Sequence, residues 1–112
     1  MKIYHNNRCS KSRQTLDLIQ KANKPVEIFN YLEEELDKHE LLFIVESLQI
    51  KPFDLIRKGE AIFKSEFKGK NLTDDEWLEA MLKYPKLIER PIVINGQKVV
   101  LGRPPENVLD FL

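Results

Sequence analysis

The chain has one cysteine, two histidines, one tryptophan and four glycines among its 112 residues. A single thiol excludes an internal disulfide and any thiolate-rich metal cluster. Two histidines are too few to build a histidine-based metal centre. There is no Gly-rich phosphate loop, no Ser-His-Asp arrangement and no separated CxxC pair. Neither sign of charge dominates, with 18 Lys plus Arg against 18 Asp plus Glu. Bulk electrostatic attraction to nucleic acid or to an anionic membrane is therefore excluded as a recruiting force. No apolar run approaches the roughly 20 residues of a membrane helix, and the first residues lack the apolar stretch of a signal peptide. A cytoplasmic location is the expectation.

What is present reads as a soluble globule. Hydrophobic residues are 42% and charged residues 32% of the chain, which is too apolar for disorder. The length suits one compact domain over residues 1–112 with a core large enough to need no crosslink. Lys2 to His5 is a short strand signal that runs into a polar turn, Asn6 to Ser10. A helix fits from about Lys11 to Ala22, with Leu16, Ile19 and Ala22 as its inner side. Val26 to Leu32 reads as a second strand, and Leu36 to Leu48 as a helix with Asp37 as its N-cap. Pro52 to Arg57 is a short helical segment and 64–71 a basic, polar loop. Thr73 and Glu76 then make a capping-box pattern ahead of Trp77 and Met81, which read as core.

The clearest local signal is Ile92 to Ile94, Asn95-Gly96, and Lys98 to Leu101, a hairpin whose dipeptide suits a type I′ turn. Pro104-Pro105 opens a last helix through Leu112. The order predicts a small mixed sheet covered by helices.

Cys9 is the first chemical candidate. It lies where a strand ends and a helix begins, among backbone N–H groups that favour an anion. Arg8, Lys11 and Arg13 surround it with positive charge, and the Ser12 hydroxyl is placed to hydrogen-bond a sulfur anion. Each effect favours thiolate over thiol and so a nucleophile at neutral pH. The competing reading, a small buried hydrophobe, stands on nearly equal terms from local context.

Counted from an Asn95-Gly96 turn, Ile94 faces Gln97, Ile92 faces Val99 and Arg90 faces Leu101. Arg103 then projects to the same side as Arg90, and an oxyanion between the two guanidiniums accounts for the convergence. The alternative is a pair of exposed arginines matched to Glu89 and Glu106. Arg57 alone reads as a helix C-terminal cation. His5 precedes the cysteine turn, where it either tunes the thiolate or orients the loop. Asn6 and Asn7 read as turn residues.

These residues fall into an ordered series: Ile3-Tyr4-His5-Asn6, Cys9 through Leu16, Asn30-Tyr31-Leu32, Leu55 to Lys58, Leu87 to Val93, and Gly102-Arg103-Pro104. Over nearly its whole length the chain resembles the glutaredoxin-linked arsenate reductase family. That resemblance implies a thioredoxin-like fold, a small mixed sheet flanked by helices with a helical insertion before the C-terminal hairpin. It implies Cys9 as nucleophile, Arg57, Arg90 and Arg103 as oxyanion-binding residues, supporting roles for His5 and Ser12, and a cis Arg90–Pro91 bond. It also implies arsenate as substrate, no bound cofactor, glutathione as co-substrate and glutaredoxin as partner. Family members often carry Asn-Pro where Asn6-Asn7 stands, which predicts a looser turn here. Two further readings accompany it: a glutathione-linked thiol oxidoreductase with another substrate, and an Spx-like RNA polymerase-binding regulator. For the regulator, Ser12 replaces the second cysteine of a CxxC pair, so a disulfide switch has no partner thiol.

Overall fold

The computed structural model describes residues 1–112, which divide into two compact units. One comprises Met1–Glu34 together with Arg90–Leu112, and the other is Glu35–Glu89. No helix is long and apolar enough to cross a membrane.

The first unit carries the sheet. Its strands are β1 (Lys2–Tyr4), β2 (Glu27–Phe29), β3 (Ile92–Asn95) and β4 (Lys98–Leu101), in the spatial order β2-β1-β3-β4. β1 pairs parallel to β2 and antiparallel to β3, and β3 pairs antiparallel to β4. The parallel pair needs a crossover, which α1 (Ser10–Lys21) supplies. This is the thioredoxin-like, mixed α/β architecture that the resemblance implies. Strand alternation sends Ile3 and Val93 to one face, where they close with Ile19 of α1 and Val108 into a fully buried cluster. Tyr4 points to the other face and stacks among Phe29 and Tyr31, with ring centroids 4.8 and 6.2 Å away.

Several expectations change in detail. The second strand is confined to Glu27–Phe29, because the Asn30 amide leaves the sheet to bond the Glu34 carboxylate at 2.9 Å. The buried residues of α1 are Ser12, Thr15 and Ile19; Leu16 is half-buried and Ala22 exposed. The helix turns a polar side inward at its N-terminal end because that end meets the cysteine turn and β4. The last helix forms over Pro105–Phe111 with the tighter 3₁₀ winding.

The hairpin register also differs. Asn95 pairs with Lys98 and Ile92 with Leu101, so Gly96 and Gln97 occupy the turn. Gly96 has φ +63° while Gln97 is not left-handed, so glycine supplies the first central position of a type II′ turn. The pairing moves by two residues, and Arg103 now falls opposite Arg90 instead of diagonal to it.

The second unit is helical. α2 (Lys38–Leu48) starts at Asp37, whose carboxylate accepts the His39 N–H at 2.9 Å. α3 (Asp74–Lys83) starts with the expected Thr73–Glu76 capping box. Leu41, Ile44, Leu55, Met81 and Leu87 are buried here, and the Trp77 ring lies 5.0 Å from Phe53 and 5.8 Å from Phe67. The expected polar loop at 64–71 instead contains a wide helical turn, Phe63–Phe67, closed by the Lys68 N–H on the Phe63 carbonyl at 2.8 Å. Anchoring Phe63 and Phe67 on Trp77 orders it. Leu55–Arg57 runs against Leu87–Glu89, with bonds from Arg57 N–H to Leu87 O at 2.6 Å and from Glu89 N–H to Leu55 O at 2.9 Å.

Candidate active site

The turn from Asn6 to Cys9 is tied down by its own asparagines. Asn6 Oδ1 accepts the Arg8 N–H at 3.0 Å, and Asn6 O accepts the Cys9 N–H at 3.0 Å. Arg13, one turn into α1, donates Nη1 to Asn7 O at 2.7 Å. The looser turn expected from the missing proline is therefore not found: hydrogen bonds do the work of a fixed φ.

Cys9 is the N-cap residue of α1, with extended backbone and no side-chain cap of its own. The first-turn amides, unsatisfied within the helix, are left for its sulfur. Burial pushes the Cys9 thiol up, but it is outweighed. The Ser12 amide, the Arg90 guanidinium through a hydrogen bond and its charge, and the Lys11 amide together hold the group below its ordinary value. Arg103 Nη2 lies 3.9 Å from Sγ. The residue is 9% exposed, and N–H donors of Ser12, Lys11, Arg90 and Arg103 face its sulfur.

The arginines reach this sulfur through β3 and β4. Beyond the last strand pair, Gly102 N–H donates to Pro91 O at 2.8 Å, so the ladder continues to Arg90 and Arg103. Arg103 Nε donates to Arg90 O at 2.7 Å, which fixes the plane of its guanidinium. Arg90 is buried and Arg103 half-buried, so neither is an exposed surface cation. The Arg90–Pro91 bond is cis as implied, and so is Arg103–Pro104. Gly102 permits the close approach: a Cβ there would sit 2.7 Å from both Pro91 Cγ and Thr15 Oγ1.

His5 and Ser12 act differently from the simplest expectation. His5 Nε2 lies 2.6 Å from Asn7 Oδ1, which only accepts, so this nitrogen carries a proton. Burial holds the imidazole below its ordinary value, with the Asn7 acceptor opposing and the Arg13 charge adding to the fall, so the neutral form prevails at pH 7. The remaining nitrogen, Nδ1, then accepts the Ser12 hydroxyl at 2.6 Å, and the same oxygen accepts the Asn6 N–H at 3.1 Å. The Ser12 hydroxyl proton is committed to His5, so it does not serve the sulfur as expected from sequence. Ser12 reaches the thiolate through its backbone amide.

Arg57 belongs to the other unit, at the end of the Leu55–Arg57 ladder. Its Nη1 is buried without a hydrogen-bond partner. Sequence reading missed Asn7, which orients His5, and Thr15 and Gly102, which let β4 close on α1. The two-residue spacing of His5 and Asn7 was the available signal for the first. Nothing local marked the pairing of Thr15 with Gly102.

An arsenate reductase of Haemophilus influenzae is 42% identical over 113 residues, covering 98% of this chain and 97% of its own. A protein of Escherichia coli K12 named YfgD and described as uncharacterized is 39% identical over 114 residues, covering 100% and 96%. The solved structure of an arsenate reductase from Vibrio cholerae superposes with a TM-score of 0.92 at 39% identity, covering 100% of this chain and 98% of that one. The sequence profile of the ArsC family matches residues 4–111. The chain belongs to the ArsC family.

Proposed function

We propose that this chain is an oxidoreductase that reduces arsenate to arsenite through Cys9, with glutathione and glutaredoxin as the source of reducing equivalents. The observation that carries this reading is the environment of the Cys9 sulfur: Arg90 and the first-turn amides stabilise the thiolate, and Arg103 Nη2 stands 3.9 Å away. A nucleophile ringed by fixed cationic donors suits attack on an oxyanion. The names of the relatives at about 40% identity, arsenate reductases among them, support the choice of oxyanion.

In the first step the Cys9 thiolate attacks arsenic, an S–As bond forms, and a hydroxyl leaves as water after taking up a proton. Arg90 and Arg103 hold the oxygens as negative charge shifts onto them. Arg57, a residue of the other unit whose buried Nη1 lacks an acceptor, is the third oxyanion-binding arginine that the family resemblance implies. Reducing As(V) to As(III) takes two electrons. A glutathione thiolate attacks the Cys9 sulfur, the S–As bond breaks with its electron pair going to arsenic, and a Cys9–glutathione disulfide is left. A second thiol, on glutaredoxin, then returns Cys9 to the thiolate. The chain has one cysteine, so this second thiol is external.

The assay couples arsenate turnover to glutathione and glutaredoxin. Cys9→Ser is expected to abolish turnover. Single Arg57, Arg90 or Arg103→Ala variants are expected to weaken it roughly 10- to 100-fold, since a charge-assisted hydrogen bond contributes about 1.5–3 kcal/mol. Equal rates for the wild type and Cys9→Ser, or no turnover in either, would overturn the assignment.

A further inference from the structure

Arg103 reaches Cys9 from a stretch of chain that has left the sheet. β4 ends at Leu101 and is an edge strand, so no further strand lies outside it. Backbone groups of successive residues in an extended antiparallel chain point to alternate sides. Gly102 N–H turns inward to Pro91 O at 2.8 Å, so the carbonyls of Leu101 and Arg103 turn outward, where an edge offers no partner strand. The half-buried Asn107 takes that place. Its Nδ2 donates to Leu101 O and to Arg103 O, each at 3.1 Å.

Asn107 is the third residue of the last helix, a position from which a side-chain acceptor ordinarily reaches back to the N-cap amide. The N-cap here is Pro104, which has no N–H to give, and the Asn107 side chain donates to carbonyls instead. The helix itself is anchored. Val108, the next residue, is fully buried with Ile3, Val93 and the α1 residue Ile19. Asn107 thus ties the Arg103 backbone to the same cluster that holds α1, the helix with Cys9 at its start. The side chain of Arg103 is fixed from the other end by Nε on Arg90 O at 2.7 Å, with Nη2 3.9 Å from Sγ. An arginine on a loose segment gives up freedom each time it engages a ligand; one whose backbone is already held gives up less.

We propose that Asn107 is a positioning residue for this site: by bonding the carbonyls on either side of Gly102, it holds the Arg103 guanidinium at the Cys9 sulfur. It acts through Arg103. The placement of the arginine stands on the hydrogen bonds themselves, and its consequence for an anion rests on the oxyanion-holding role proposed for Arg103.

The test compares the full wild-type chain with Asn107→Ala, Asn107→Gln, Arg103→Ala and the double variant Arg103→Ala/Asn107→Ala. The first readout is hydrogen exchange of the Arg103 Nε–H by nitrogen-15 NMR, its signal identified by its loss in Arg103→Ala. The second is the sulfate concentration that half-protects Cys9 from iodoacetamide, sulfate being a tetrahedral oxyanion that the thiol does not reduce. In Asn107→Ala the Nε–H is expected to exchange roughly tenfold faster and the half-protecting sulfate concentration to rise by a similar factor, as the loss of one hydrogen bond's worth of placement implies. Backbone amides of β1 and β3 should keep their rates. Asn107→Gln, which retains both N–H donors, should recover part of each change. In the Arg103→Ala background, adding Asn107→Ala should move the sulfate concentration no further. An unchanged Nε–H rate in Asn107→Ala overturns the proposal. So does acceleration spread across β1 and β3, which marks a purely structural residue, or a second loss of protection in the double variant. If sulfate fails to protect the wild type, the oxyanion reading of Arg103 falls and the Nε–H exchange alone decides the placement.

Discussion

At Cys9, desolvation of the sulfur opposes the anion, and the donors that win are ones the fold supplies for other reasons. The first-turn amides of α1 exist because every helix leaves them over, and Arg90 is delivered by a strand register. The alkylation rate of Cys9 against pH is therefore expected to titrate below the free-cysteine value of about 8.5, and Arg90→Ala to move that titration upward. A wild-type midpoint at the free value would count against a stabilised thiolate. Ser12→Ala separates hydroxyl from amide. It strands the Asn6 N–H and His5 Nδ1, at a cost of about 1–3 kcal/mol, but leaves the amide on the sulfur. Its titration midpoint should move less than that of Arg90→Ala; a larger move would return the hydroxyl to the thiolate. His5 has a lowered folded-state value, so unfolding takes up a proton. Its contribution is full above the ordinary histidine value of about 6.5 and is lost as pH falls through the lower folded value. Cys9, also lowered, follows the same sign at higher pH. The drop in Tm on acidification from pH 7 to pH 5 is expected to be smaller in His5→Gln than in the wild type.

At the scale of elements, the contact between β4 and α1 is the tightest constraint on the site. Gly102 lies between Pro91 and Thr15, with 2.7 Å left for a Cβ on either side. Gly102→Ala should destabilise the chain by about 1–3 kcal/mol through overpacking, measured as a shift in denaturant midpoint. Adding Thr15→Ala removes one of the two obstructions and should recover part of that loss, since Pro91 still blocks the other side. Full additivity of the two changes would show that they do not share the clash. Elsewhere the helix starts are local. Thr73→Ala should cost about 1 kcal/mol, because the Thr73 hydroxyl and the Glu76 carboxylate each satisfy an amide of the other. The hairpin is less local than it looks. Asn95-Gly96 suits a type I′ turn, but Gly96-Gln97 forms a type II′ turn instead, which brings the two arginines directly opposite one another.

For the whole molecule, a count of sulfurs limits the chemistry. With one cysteine the chain cannot close an internal disulfide, so the proposed reaction at Cys9 passes through a mixed disulfide with another molecule. Under single turnover with arsenate and glutathione, intact mass should show one glutathione adduct on the wild type and none on Cys9→Ser. What the sequence determined by itself was what short range decides: the capped starts of α2 and α3, the hairpin strands, and a cysteine at a strand-to-helix turn. These depend on neighbours within a few residues, and their signals survive without the fold. Only the tertiary structure decided which donors the sulfur receives, that Ser12 hands its hydroxyl to His5, and that α1 buries Ser12 and Thr15 fully, Leu16 in part and Ala22 not at all. The physical reason is that a buried polar group is placed by its partner. The partners here are far apart in the chain: Thr15 meets Gly102, and Arg103 meets Cys9.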